Sequence, residues 1–170
     1  DVSIAGDAYE TVSGQNVNNS VSIPDKFMKK VESGDETATW ELIGRIDTAV
    51  NKKIKALDLW EEICWAAWRC GDPGVQYSDI INSWNTCPKS GRINGSNPCS
   101  EYLFLDDTSC NLASINVLKF FIFEEERFDF DGYIHAIKMI QMVLEATIHW
   151  GQFPTPQIAE NTYKFRTTGL

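Results

Sequence analysis

The sequence predicts an α/β fold, in which strands alternate with helices. Its 170 residues are 43% apolar and 23% charged, which is ordinary usage for a globular protein and excludes wholesale disorder. Two segments, 58–70 and 132–150, carry helical patterns of apolar residues, and shorter apolar runs of strand length lie around them. Because strands interleaved with helices are typical of α/β proteins, we expect this class.

The first elements follow from local signals. Residues 11–22 are rich in Ser, Asn and Gly, which is typical of a loop that leaves or joins a strand. A short helix is expected from Pro24, because proline is favoured in a first helical turn, and Gly34 is expected to end it. Apolar residues alternate over 40–46 and predict a strand.

The clearest helix spans residues 58–70. One apolar stripe runs along it at helical spacing, formed by Trp60, Ile63, Cys64, Ala67 and Trp68. Asp58 with Glu61 resembles a capping box, and Gly71 is expected to end the helix. We expect Cys64 and the tryptophans at 60, 65, 68 and 84 to pack in the core.

An irregular loop is expected over residues 82–97, where no apolar period is found; loops of this length are more often functional than merely connecting. A short apolar run follows at 102–105, and a turn is expected at 106–107. Residues 112–121 form a second, mostly apolar run that predicts an extended segment, and 124–127 a charged turn.

The last third of the chain predicts two helices and the approach to another strand. Asp131 is expected to cap a helix over 132–150, which is apolar on most sides and is therefore expected to be buried. Two prolines then precede a helix over 157–165, and residues 167–170 predict the approach to a strand.

Charge and cysteine usage exclude several classes of protein. A net charge of −9 argues against a protein that coats DNA, because no extended basic face is available to phosphates. No apolar stretch reaches the length of a membrane span. The five cysteines form no CxxC pair, which argues against a zinc ribbon and favours thiols in a reducing, cytoplasmic compartment.

The segment 91–116 carries the groups with the most chemistry. Asn97, Cys99 and Glu101 stand at alternate positions, so an extended chain would direct an amide, a thiol and a carboxylate to one side. Cys110 follows eleven residues later, and two strands joined at the 106–107 turn could return it towards Cys99. The same pattern also arises by chance in loops, and spacing alone leaves a purely structural role open.

A thiol beside a carboxylate is poorly suited to act as a thiolate nucleophile, because the negative neighbour disfavours its ionisation. The segment contains no histidine that could serve as a base, which argues against a Cys–His protease. A thiol that loses a hydrogen atom is compatible with a carboxylate that takes a proton from a substrate hydroxyl. Two further thiols could supply two electrons by forming a disulfide. These groups suit the radical reduction of an alcohol.

The residues themselves resemble a family. Residues 97–102 read NPCSEY, followed by LFLDD at 103–107 and CNLASIN at 110–116, and this run resembles the active-site finger loop of ribonucleotide reductase large subunits. The likeness is greatest to the adenosylcobalamin-dependent (class II) branch. Similar matches occur in collinear order over the rest of the chain, at GQNVNNSV (14–21), PDKFM (24–28), AAW (66–68), GDPGV (71–75) and FRTTGL (165–170).

The resemblance implies roles for four residues in the reduction of ribonucleotides to 2′-deoxyribonucleotides. Cys99 would form the thiyl radical that abstracts the 3′-hydrogen of the ribose. Glu101 would take the proton of the 3′-hydroxyl, and Asn97 would orient the ribose. Cys110 would be one of the two cysteines that reduce the substrate radical.

The resemblance also implies a fold and partners. The fold would be a ten-stranded α/β barrel with a central finger loop, of which residues 1–170 would be a single contiguous segment, incomplete at both ends. The cofactor would be adenosylcobalamin, and the reductant a dithiol such as thioredoxin. Partners would be a ribonucleoside di- or triphosphate, a nucleotide effector and a second copy of the enzyme; neither DNA nor a membrane is expected. The loop near residues 6–15 would relay the identity of the effector to the substrate base.

Several parts of such a reductase are expected outside this chain: the second redox cysteine, the loop for the substrate phosphates and the terminal cysteine pair. The chain is therefore expected to be an internal segment that is catalytically incompetent alone. Two alternatives stay open. One is the class of reductase that takes its radical from a separate di-iron subunit, and the other is a non-catalytic remnant.

Overall fold

The computed structural model describes residues 6–7, 11, 13–14, 17–47, 51–97 and 99–170. It divides the chain into two compact units, Asp1–Leu105 and Asp106–Leu170. Much of the segment expected to relay the identity of an effector, residues 6–15, lies outside the described residues, as does Pro98 of the NPCSEY motif. Within the described parts, no helix combines the length and the apolar character that crossing a bilayer requires.

The first unit is built on a parallel pair of strands. In chain order its elements are β1 (Ser20–Ile23), α1 (Asp25–Glu32), β2 (Thr39–Leu42), β3 (Lys52–Lys55), α2 (Ala56–Cys70), β4 (Gly74–Tyr77) and α3 (Ser78–Ser83). β1 pairs with β4 in parallel, with Ser20 opposite Gly74, and β2 pairs with β3 antiparallel. Parallel strands need a long crossover, and here the crossover contains α1 and α2. This arrangement confirms the mixed α/β class.

The core of this unit lies where α1 and α2 meet. Ile23, Phe27 and Ala56 are buried there, and Trp40 and Trp60 are among the half-buried side chains packed around them. The rings of Phe27 and Trp40 meet edge to face, with centroids 5.3 Å apart and planes at 78°. Aromatic pairs in this geometry stabilise beyond the area they bury.

Phe27→Ala is expected to destabilise the first unit by about 3–5 kcal/mol, because it leaves a cavity between the two helices and removes the ring contact with Trp40. Thermal unfolding followed by circular dichroism measures the loss. Phe123→Ala is the control, since the Phe123 side chain is 64% exposed. Equal shifts in the unfolding midpoint of the two variants would contradict the placement of the core between α1 and α2.

The second unit combines short strands with two helices. Its elements are β5 (Asn111–Leu112), a 3-10 helix (Val117–Phe120), β6 (Phe121–Ile122), a 3-10 helix (Phe123–Glu125), β7 (Arg127–Phe128), α4 (Phe130–Trp150), α5 (Pro156–Phe165) and β8 (Thr168–Gly169). β5 pairs with β8 in parallel, and β6 with β7 antiparallel. Leu144 and Ile148 of α4 are the buried apolar residues of this unit.

The four long helical segments lie where the sequence predicts them, but their starts are stabilised differently. Lys55 precedes α2 without a side-chain cap, so the predicted capping box at Asp58 is wrong. The cap of α4 is Asp129, not Asp131: its carboxylate accepts a hydrogen bond from the Gly132 N–H at 3.0 Å. Gly71 ends α2 in the left-handed region at φ 78°, as predicted.

The strands agree less well with the prediction. The expected strand 40–46 ends at Leu42, residues 102–105 form no strand, and the run 112–121 contains a 3-10 helix between two-residue strands. β3, β4 and α3 have no counterpart in the prediction. These strands are two to four residues long. Whether such short segments form strands depends more on their pairing partners than on their own pattern of residues.

Several side chains expected in the core are exposed. Cys64 is exposed, and Trp65, Trp68 and Trp84 are 57%, 78% and 81% exposed. The expected burial of helix 132–150 is also wrong for much of its surface: Ile134, Met139, Met142, Val143 and Trp150 of α4 are exposed. The physical reason is that α2 and α4 are apolar on more than one face, and only one face of each packs on described elements. Trp65 and Trp68 instead stack on each other, with ring centroids 5.3 Å apart.

Candidate active-site loop

The loop that carries the motif residues is anchored to α3 by one asparagine. The Asn82 amide donates to the carbonyl oxygen of Ile93 and accepts from the Ile93 N–H, both at 2.9 Å. Ile93 is itself buried, which fixes the middle of the loop. Asn85 makes a second link by donating to the Gly91 carbonyl oxygen at 2.9 Å. Neither role was predicted from the sequence, although asparagine is a common hydrogen-bonding residue of turns.

A closed turn carries Cys99. The Ser100 N–H donates to the Asn97 carbonyl oxygen at 2.9 Å, and the Tyr102 N–H donates to Asn97 Oδ1 at 2.9 Å. The Ser96 hydroxyl donates to the Tyr102 carbonyl oxygen at 2.7 Å. The two ends of the motif are thereby tied together around Cys99.

This turn corrects one premise of the sequence analysis. The Ser100 N–H bonds back to the Asn97 carbonyl oxygen, and Ser100 adopts a left-handed conformation at φ 61°, so the motif does not form an extended strand. The alternation of side chains along a strand therefore does not apply here. A turn brings residues together by hydrogen bonds of its backbone, which spacing alone does not reveal.

The three motif residues of this turn differ in exposure. Cys99 and Glu101 are exposed, whereas Asn97 is half-buried. Asn97 Oδ1 is occupied by the loop backbone, so the Nδ2 donor is the part of this side chain that can serve a substrate. An accessible thiol, a carboxylate and an amide donor are thus available within five residues.

Cys110 lies in the second unit, beside the β5–β8 pair. It is half-buried, and its Sγ lies 3.8 Å from the position that a Cβ would take at Gly169. Ser109, the residue before Cys110, is hydrogen-bonded to α5: its hydroxyl lies 2.9 Å from the hydroxyl of Thr162. The positive φ of Asp107, 54°, agrees with the predicted turn. The residues directly before the turn, 102–105, form no strand. The return of Cys110 to Cys99 stays a prediction.

The described part of the chain contains no cluster of metal-ligating side chains. No group of three or more His, Cys, Asp or Glu residues there could hold a metal ion.

Comparisons with known proteins agree with the motif. The family model described as ribonucleotide reductase, barrel domain, matches residues 5–170. The chain is 50% identical over 164 residues to a vitamin B12-dependent ribonucleotide reductase of Bradyrhizobium diazoefficiens, covering 96% of this chain and 13% of that protein. It is 44% identical to the protein of that name in Streptomyces clavuligerus, covering 100% of this chain and 18% of that protein.

A more distant relative is the vitamin B12-dependent ribonucleoside-diphosphate reductase of Thermoplasma acidophilum. The identity is 34% over 155 residues, covering 91% of this chain and 20% of that protein. The chain thus spans a fifth or less of the length of these relatives. Since the family model matches nearly all of it, the chain belongs to the ribonucleotide reductase barrel-domain family.

Proposed function

We propose that this chain carries the substrate-reducing loop of an enzyme that converts ribonucleotides to 2′-deoxyribonucleotides by thiyl-radical chemistry. The observation that carries the proposal is the turn from Asn97 to Tyr102. It presents an exposed thiol, Cys99, next to an exposed carboxylate, Glu101, in a chain of this family. The names of the relatives in Bradyrhizobium and Streptomyces state the same activity for those proteins.

In this proposal each side chain performs one step. Cys99 Sγ loses its hydrogen atom, and the resulting thiyl radical takes the 3′-hydrogen of the ribose. Glu101 accepts the proton of the 3′-hydroxyl, and Asn97 Nδ2 donates a hydrogen bond that orients the ribose. The 2′-hydroxyl then leaves as water with a proton from one of two reducing thiols, Cys110 and a second thiol. These two thiols form a disulfide and supply two electrons, and their second hydrogen is placed on C2′. Glu101 returns its proton to the 3′-oxygen, and Cys99 returns the hydrogen atom to C3′.

Adenosylcobalamin is the cofactor that we propose, because the names of the relatives specify vitamin B12; when bound, it supplies the radical chemistry. What the chain's own residues contribute is the position of the thiol and the proton acceptor beside it.

The finer features of the family are part of the same proposal. The parallel pairs β1–β4 and β5–β8 would belong to a ten-stranded α/β barrel, with the Cys99 turn as its finger loop. The substrate would be a ribonucleoside diphosphate or triphosphate, and the name of the Thermoplasma relative supports the diphosphate. A nucleotide effector, a thioredoxin-like dithiol and a second copy would be its partners, in the reducing cytoplasm.

The test is an assay of the protein expressed from the complete reading frame that encodes this chain. With a dithiol and adenosylcobalamin, we expect deoxyribonucleotide to form, and we expect none when the cofactor is omitted. Reduction that needs a di-iron subunit and no cobalamin would instead support the di-iron class. Absence of reduction under both conditions would support a non-catalytic remnant.

A further inference from the structure

One buried polar side chain outside the motif reaches the Cys99 turn. Gln76 lies on β4, is 8% exposed, and stands opposite Ser22 in the parallel pairing with β1. Its Nε2 donates to the hydroxyl of Ser100 at 3.4 Å, over a separation of 24 residues. A buried amide is costly unless it is hydrogen-bonded, so this contact also accounts for the presence of glutamine in the strand.

Ser100 is unusual in its backbone. Its φ of 61° places a residue with a Cβ in the left-handed region, which costs roughly 1–2 kcal/mol relative to the right-handed one. Glycine would adopt this conformation without that cost. A serine at this position adds a hydroxyl, and this is the group that Gln76 contacts. Strain of this kind persists where surrounding contacts hold it.

We propose that Gln76 is a positioning residue for the proposed reaction. It braces Ser100 in the left-handed conformation and so fixes the directions in which Cys99 and Glu101, its two neighbours in the chain, leave the turn. The brace starts from a strand whose four residues are paired with β1, a firmer support than the loop itself. The inference rests on the function proposed above.

A second observation places the brace at the same site. Gln76 and Asn97 both line one open pocket of about 310 Å³. The proposed ribose-orienting amide and the bracing amide therefore border the same space. At 3.4 Å the bond is at the long end for N–H···O, so we expect its removal to shift geometry rather than unfold the unit.

The test compares Gln76→Leu, Ser100→Ala and the double variant in the protein from the complete reading frame. Each single change is expected to lower kcat about tenfold with KM nearly unchanged, because one hydrogen bond is lost and the thiol is misaligned. The double variant is expected to be no slower than the slower single one, because both remove the same contact. Gln157→Leu is the control, since the Gln157 amide donates to Asn161 Oδ1 along the exposed side of α5 and lies outside the motif.

The isotope effect on kcat for a substrate deuterated at C3′ separates positioning from stability. Misalignment of Cys99 makes hydrogen abstraction slower, so the effect is expected to rise in the Gln76 and Ser100 variants. A loss of folded enzyme lowers the rate and leaves the isotope effect unchanged. An unchanged isotope effect, or losses that simply multiply in the double variant, would overturn the proposal. Ser100→Ala removes one oxygen from a partly exposed turn and keeps the test valid if Gln76→Leu fails to fold.

Amide hydrogen exchange gives a readout that does not depend on activity. The amides of Ser100 and Tyr102 close the turn, and both are expected to exchange faster when the brace is removed. Unchanged exchange would overturn the brace whatever the rates are. Failure of the unsubstituted protein to reduce ribonucleotides would contradict the proposed function, and faster exchange in its variants would still identify the contact.

Discussion

The Cys99→Ser protein is expected to lose ribonucleotide reduction by a factor of about 10⁴ or more, because an O–H bond is too strong to give up its hydrogen atom in place of S–H. The replacement keeps the shape of the side chain, and Cys99 is exposed, so no cavity forms. Loss of activity would then report on chemistry and not on folding. The measurement is deoxyribonucleotide formed per enzyme by the protein from the complete reading frame.

Cys64→Ser is the matched control for this experiment. Cys64 is also an exposed thiol of the first unit, but it lies on α2 and outside the motif. We expect its replacement to leave the rate within about twofold of the unsubstituted protein, as is usual for exposed positions without special contacts. If Cys99→Ser retained the rate of this control, the thiyl role would be wrong and a non-catalytic role would be favoured.

The fold class was accessible from the sequence because helices of eight residues or more carry their own signals. Helix α2 and the glycine that ends it are predicted from local features, and both are confirmed, although Cys64 and Trp68 of the predicted apolar stripe are exposed. The strands are short and depend on partners distant in sequence: β4 follows β1 by more than fifty residues, yet the two pair residue by residue. Such pairing leaves little trace in a four-residue pattern.

The exposed tryptophans show a second limit. Trp68 stands in the predicted apolar stripe of α2 and Trp65 lies outside it. A helical pattern cannot tell a face that packs within the unit from one that does not. An apolar side chain favours burial, but its apolar character does not identify the surface that buries it. This is why the expected core placement failed for these residues and held for Ile63 of the same helix.

The candidate site was half predictable. The residue types at 97, 99 and 101 suggest the proposed chemistry, because thiol, carboxylate and amide are visible in the sequence itself. The turn was not predictable, since it depends on the left-handed Ser100 and on the amide of Gln76, 24 residues away. Spacing arguments assume a regular backbone, and loops that present reactive groups often depart from one.

Glu101→Gln is expected to lower kcat by about 10²–10⁴, the usual contribution of a general base, because the amide cannot accept the proton of the 3′-hydroxyl. The two side chains have nearly the same size, and Glu101 is exposed, so the change is expected to leave the turn intact. KM is expected to change little, since the proton moves only as the reaction proceeds. Steady-state rates at saturating substrate provide the measurement.

Glu36→Gln provides the comparison, because Glu36 is an exposed carboxylate in a turn of the same unit with no place in the proposed reaction. It is expected to behave as the unsubstituted protein. A drop in kcat for Glu101→Gln with rates unchanged for Glu36→Gln would assign the effect to the proton acceptor and not to the loss of one negative charge from the unit. Equal rates for both variants would remove Glu101 from the mechanism. With Cys99→Ser inactive, they would leave the thiol as the only reacting group of this turn and require the base to come from elsewhere in the enzyme.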